Sequence, residues 1–324
     1  MAQEQAGERS AAVELAARVQ ETVGRAIIGQ ERVVQEMLVA ALAGGHVLLE
    51  GVPGVAKTLM VRSLAACVGR SFRRVQMTPD LMPSDIVGTY VYDADSGEFH
   101  LRHGPVFTQI LLADEINRAP AKTQSALLEA MQEQQVTIDG NTHPLPAGFM
   151  VCATQNPIEY EGTYPLPEAQ LDRFMLKVIV DYPSREEEDG LLRRYHHGFD
   201  PMRLEQAGVT VVATEEQIAG ARAQVAAVQV TDEVIGYISQ ITRATREDPS
   251  LLLGCSPRAS VMLLLVAKVL AALRGRGYLI PDDIKDMAPP ALRHRMVLRP
   301  EADVEGLTAD DIIRQVLDTV PVPR

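Results

Sequence analysis

The stretch that most limits what this chain can fold into is Gly51-Val52-Pro53-Gly54-Val55-Ala56-Lys57-Thr58. It follows the apolar run His46-Val47-Leu48-Leu49 and precedes a helical pattern carrying Leu59, Val61, Leu64, Ala65 and Val68. Strand, glycine-rich turn and helix, in that order, make the setting of a phosphate-binding loop. Glycines let the backbone wrap a phosphate chain with its N–H groups pointing inward. The helix that follows aims its first N–H groups and the positive end of its dipole at the same anion. In such a loop Lys57 reaches the β- and γ-phosphates and the Thr58 hydroxyl ligates Mg²⁺. Ala56 stands where the pattern G-x-x-x-x-G-K-[ST] has its second glycine. An alanine there is expected to enter the helix with negative φ, leaving Gly51 and Gly54 to close the loop.

The rest of the chain supplies what a nucleotide site needs. Residues 109–113 form a short apolar strand ending in Asp114-Glu115. A strand buried between helices is apolar throughout, and carboxylates at its carboxyl end lie where open α/β sheets bind ligands. Asp114 is expected in the Mg²⁺ shell, and Glu115 to orient and polarise an attacking water as general base. The next apolar strand, 149–154, ends in Gln155-Asn156-Pro157. An amide there can touch both a γ-phosphate and the attacking water, so Asn156 is a candidate sensor; it also reads as an Asn-Pro turn. Upstream, Ile27-Ile28-Gly29 offers an apolar wall and exposed backbone for a flat base, with Ile28 and Gly29 as the expected contacts, beside Leu59 at the far end of the loop. Arg173 falls just before the strand 175–180, at the rim of the sheet. Ser256 and Pro257 start a helix strongly. Arg258 in its first turn opposes the helix dipole, a local conflict that suits a phosphate contact.

Bulk properties bound the reading. At 324 residues the chain is long for one core, so two domains are expected. We place them at 11–183 and 184–324, after a disordered tail of residues 1–10. No apolar run reaches membrane-span length, and the polar start lacks a signal-peptide pattern, so a cytoplasmic location is expected. Cys67, Cys152 and Cys255 are far apart within apolar patterns and read as core residues rather than a metal or disulfide framework. Net charge is −12, aromatics are 4% and there is no Trp; a broad nucleic-acid surface would need the opposite balance. Helical spacing marks 11–23, 31–43 and 122–134. Hairpins are expected within 86–107 and around Asp139-Gly140-Asn141. Beyond Pro183-Ser184 the pattern is helical at 185–195, 214–228, 232–246, 257–273 and 281–287.

Taken together, the phosphate loop, Asp114-Glu115, Asn156, Arg173 and Arg258 resemble an AAA+ ATPase. Leu112 to Pro120, Gln124 to Glu133, Ala153 to Pro157 and Glu168 to Phe174 are similar to the MoxR family, and the likeness spans residues 27–299. The resemblance implies an α/β P-loop fold, with a five-stranded parallel sheet of order 5-1-4-3-2 between helices, β-hairpin insertions, and an all-α lid. It implies ATP and Mg²⁺ as ligands. It implies assembly with itself, usually as a homo-hexameric ring, with Arg173 as a finger reaching a neighbour's ATP and Arg258 as a second sensor. It further implies work with a von Willebrand factor A domain protein on a client protein complex, often in metal or cofactor insertion. A chelatase-like motor subunit and a nucleotide-gated scaffold are the alternatives, and the intact Glu115 disfavours the scaffold.

Overall fold

The structure is a computed structural model and describes residues 10–157 and 164–323. Five short strands form one parallel sheet: β1 (Val47–Glu50), β2 (Phe72–Gln76), β3 (Ile110–Asp114), β4 (Met150–Gln155) and β5 (Leu176–Ile179). Their spatial order is β5-β1-β4-β3-β2, the order the resemblance implies. The inner strands β1, β3 and β4 are apolar because helices cover both faces. Edge strand β2 is not, and leaves Arg73, Arg74 and Gln76 exposed.

Period-two alternation divides the strand residues between two apolar clusters. Val47, Leu49, Ile110, Leu112, Met150 and Cys152 face one way. Leu48, Leu111, Ala113, Val151 and Ala153 face the other, with Leu127, Leu128 and Phe174. The first cluster does not stop at the sheet. It continues into the carboxyl-terminal helices through Leu263, Val266 and Leu270, so the lid is fastened by shared core as well as by chain. All three cysteines are buried and unbridged.

The expected hairpins are present. Gly88–Asp93 pairs with Glu98–His103, and Gln135–Ile138 with Asn141–Pro144. The second turns through Asp139 and Gly140, both at positive φ, as a tight two-residue hairpin loop requires. Beyond Pro183-Ser184 come the helices Arg185–His196, Glu215–Ala227, Asp232–Glu247, Pro257–Leu273 and Pro281–Leu292. To this helical set the structure adds a small antiparallel pair, Leu251–Leu253 with Val297–Leu298. It also adds the helices Pro300–Val304 and Ala309–Thr319, the latter capped by Thr308 and Asp311. The helix expected to stop at Met287 runs on through Pro289 and Pro290. Each proline forfeits one backbone hydrogen bond, but Ala288, Pro290, Ala291 and Leu292 are buried and packing holds the last turns. The tail expectation falls on residues 1–9, outside the described residues; Ser10, its last member, donates to Gln224 Oε1 at 2.6 Å.

His46 ties the first residue before β1 to two other elements. Val151 N–H donates to its Nδ1 at 3.0 Å, so the proton sits on Nε2, which donates to Met131 O at 3.0 Å. Protonating Nδ1 would orphan the Val151 amide, and burial pushes the His46 pKa down to about 4. The unfolded chain therefore takes up a proton near pH 6.5 that the folded chain refuses until about pH 4. The stability this residue protects is complete above pH 6.5 and drains between those values, at up to about 1.4 kcal/mol per pH unit. Denaturant titrations across that window should show a steeper loss of stability in the parent than in His46→Gln. Equal slopes would show that His46 is not a source of the acid sensitivity.

Candidate active site

The parallel register sets the site. Gln76 lies beside Asp114, Ala113 beside Ala153, and Leu49 beside Thr154, so the carboxyl ends of four strands form a continuous rim. Thr154 is buried, and its hydroxyl serves both carboxylate residues. It donates to Asp114 Oδ1 at 2.5 Å and accepts from the Glu115 N–H at 2.8 Å. On the other side Arg74 donates from Nε and Nη2 to Asp114 Oδ2, at 3.0 and 2.6 Å. Glu115 Oε2 accepts from Gln76 Nε2 at 2.7 Å and from Arg118 Nη1 at 3.0 Å.

The loop from Pro53 to Leu59 forms one cleft with Asp114, Glu115, Thr154 and Asn156. Lys57 begins the helix Lys57–Cys67, and its Nζ donates to the carbonyls of Gly51 and Val52, the latter at 3.0 Å. Gly51 is required by packing, since a Cβ there would stand 2.4 Å from Val180 O. Gly54 has φ +89°. Ala56 departs from expectation: it does not enter the helix with negative φ but caps it at φ 61°, ψ 24°. The chain must turn left-handed there whichever residue fills the position, and a non-glycine residue in that region costs about 1–2 kcal/mol. Glu115 is held the same way, at φ 58°, ψ 55°. Two strained residues thus face one cleft, the distribution expected where geometry serves a site.

Ile28 and Gly29 do not line this cleft; they pack against the helix Arg185–His196. A Cβ on Gly190 would meet Ile28 Cδ1 at 3.5 Å, and the Glu187 carboxylate covers Gly29. The same helix sends Tyr195 to the cleft wall, near Pro201. Arg173 and Arg258 also lie away from it, but on one shared network. Asp172, adjacent to Arg173, accepts from Ser256 Oγ at 3.4 Å, and Ser256 caps the helix that carries Arg258. Asp172 Oδ1 also accepts from Arg295 Nε at 2.7 Å. The buried Arg295 guanidinium further donates to Phe174 O at 2.7 Å, Asp172 O at 3.1 Å and Met175 O at 3.3 Å. Burial lowers its pKa, and Asp172 works against that shift.

Sequence reasoning missed Arg74, Gln76, Thr154, Tyr195 and Arg295. Only Thr154 left a signal, as the one polar side chain inside an apolar strand. A divalent cation suits the donors present. Thr58 and Asp114 offer hard oxygen ligands, and among the described residues no cluster of three or more His, Cys, Asp or Glu could cage a metal. Mg²⁺ matches such a site because it draws most of its ligands from phosphates and water.

Comparisons with known proteins agree with this geometry. Residues 46–176 match the family model "ATPase family associated with various cellular activities (AAA)", and residues 243–316 match the AAA lid domain. The chain is 50% identical over 303 residues to the uncharacterised protein YeaC of Bacillus subtilis, covering 94% of this chain and 93% of that one. It is 47% identical over 313 residues to the chaperone MoxR1 of Mycobacterium tuberculosis, covering 93% and 81%. A solved structure of a candidate ATPase from Cytophaga hutchinsonii superposes with TM-score 0.88 at 41% identity, over 97% of each chain. The loop, the acidic strand end and the helical lid define an AAA+ ATPase. Within that class, the chain belongs to the MoxR family.

Removing Arg295 would leave Asp172 without its main cation and take a donor from four carbonyls, those of Asp172, Phe174, Met175 and Ala291. Breaking a buried pair from one side costs about 3–5 kcal/mol. Arg295→Met should lose about that much in guanidinium unfolding, while Asp172→Asn, which still accepts, should lose less. A loss under about 1 kcal/mol in Arg295→Met would show that the lid is fastened elsewhere.

Proposed function

We propose that this chain hydrolyses ATP with Mg²⁺ at interfaces between subunits of a homo-hexameric ring. The cycle would drive remodelling or activation of a client protein complex with a von Willebrand factor A domain partner, in the cytoplasm. The observation that carries the catalytic part is the Thr154 hydroxyl, which holds Asp114 and Glu115 in one cleft with the loop 53–59. We divide the chain at 183/184 into a nucleotide-binding core and a lid. The described residues include no helix long and apolar enough to cross a membrane.

In this reading the loop amides from Gly54 to Thr58 wrap the phosphates and Lys57 supplies the cation on the β- and γ-groups. Leu59 meets the base from the cleft wall, and Ile28 and Gly29 would join it once the helix Arg185–His196 that covers them moves aside. Mg²⁺, held through Thr58 and Asp114, would neutralise charge on the phosphates. Glu115 takes the proton of the attacking water, and its strained backbone and the bonds from Thr154, Gln76 and Arg118 fix where the carboxylate points. Asn156, buried at the end of β4, orients the water against the γ-phosphate. Arg173 and Arg258 act from the Asp172 network. The position of Arg173 outside its own cleft supports delivery to a neighbour's nucleotide.

Glu115→Gln should keep ATP affinity by calorimetry and lose turnover by roughly 10²–10⁴-fold. Turnover equal to the parent's would reduce Glu115 to a turn residue.

Arg173→Ala should bind ATP normally and hydrolyse it poorly, since fingers delivered in trans are worth about 10³–10⁵ in rate. Mixed with Lys57→Ala subunits, which keep the finger and lose the site, it should regain part of its activity in proportion to mixed-ring formation. No recovery in demonstrably mixed rings would place Arg173 in cis.

A further inference from the structure

A second cavity, of about 180 Å³, opens at the amino ends of the strands, opposite the phosphate loop. Its walls are mostly apolar: Leu15, Leu38, Leu64, Ile110, Phe149 and Ile218. Leu64 belongs to the helix whose other end carries Lys57, and Ile218 to the helix Glu215–Ala227. The cavity therefore lies where the sheet domain meets the carboxyl-terminal helices.

Two arginines break the apolar lining, Arg70 and Arg222. The Arg70 side chain is only 9% exposed. Its Nη1 donates to Gly148 O at 2.8 Å, and its Nη2 lies 3.5 Å from Glu215, a carboxylate 68% exposed. Arg222 Nη2 donates to Ala41 O at 2.9 Å. Its Nε is sealed from solvent and has no hydrogen-bond partner. Burial and the field of Arg70 lower the Arg222 pKa, and Glu215 only partly offsets them. Two guanidinium groups thus line a largely apolar cavity whose walls include no acid.

We propose that this cavity binds a small amphipathic anion, a compact hydrocarbon body bearing one carboxylate. The carboxylate would lie between the Arg70 and Arg222 guanidinium groups that line the cavity and relieve the repulsion between them. The body would fill the aliphatic and aromatic walls. The volume suits a single ring, since a cavity of about 150 Å³ with comparable walls takes up benzene. A bare inorganic anion would leave those walls unfilled, and a neutral hydrocarbon would leave the two guanidinium charges without an anion inside the cavity.

Benzoate is the probe, with benzyl alcohol as the same body without charge and acetate as the charge without the body. Titration calorimetry on the full chain should show benzoate binding at one site per chain, with both controls at least tenfold weaker. Arg222→Met should erase the preference for benzoate over benzyl alcohol. Leu38→Phe, which narrows the cavity and changes no hydrogen-bond partner of either arginine, should weaken benzoate at least tenfold. Circular dichroism and melting verify that each variant is folded, and the neutral Arg222→Gln replaces Arg222→Met if the latter is not. Absence of benzoate binding to the parent overturns the proposal, as does equal binding to folded Leu38→Phe.

Discussion

One hydroxyl organises the candidate active site. Thr154 lies on β4, and the two residues it holds follow one another at the end of β3. Its donor goes to the Asp114 carboxylate and its acceptor takes the Glu115 amide. The first bond fixes a side chain. The second fixes a backbone turned into the left-handed region. A neighbouring strand can do this only because the sheet is parallel and in register, with Ala113 beside Ala153. Serine could offer the same hydrogen bonds, but threonine is stiffer about χ1, and a stiff side chain keeps both partners in one arrangement.

The second organising feature is the join between sheet and lid. Shared apolar core gives it area, and the Asp172–Arg295 pair gives it direction. Apolar packing alone tolerates sliding and rotation. A guanidinium committed to one carboxylate and several carbonyls does not. Three of the four carbonyls belong to Asp172, Phe174 and Met175, so the lid grips the backbone that leads into β5. Arg173 lies inside that gripped segment, and Arg258 starts two residues after the serine that completes the network. Motion of the lid would reach both arginines through hydrogen bonds to main chain, with few rotatable bonds intervening.

What could be read from sequence follows from what is local. The phosphate loop, the apolar strand ending in Asp114-Glu115, the hairpin at Asp139-Gly140 and the Ser256 cap each consist of consecutive residues whose chemistry dictates a shape. The strand order came through resemblance, because order depends on pairings distant in sequence. Arg74 was illegible for the same reason. It lies 40 residues from Asp114, and only the β2–β3 register brings them together. Arg295 is 123 residues from Asp172. Pro289 and Pro290 misled in the opposite sense: the local rule was right about the cost, and burial outweighed it. At Ala56 residue preference and chain geometry disagreed, and the geometry of the loop prevailed.

The left-handed Ala56 has a consequence for how this protein would respond to selection in the laboratory. Most random substitutions lower stability, so a screen for heat resistance normally rewards larger cores and better surfaces far from any site. Here a reservoir of recoverable free energy sits in the nucleotide loop itself, where a glycine would relax the backbone. Such a screen would be drawn toward the cleft. A glycine there would also restore the residue that the phosphate-loop pattern carries, so selection for heat alone would reshape the nucleotide loop along with the stability of the chain.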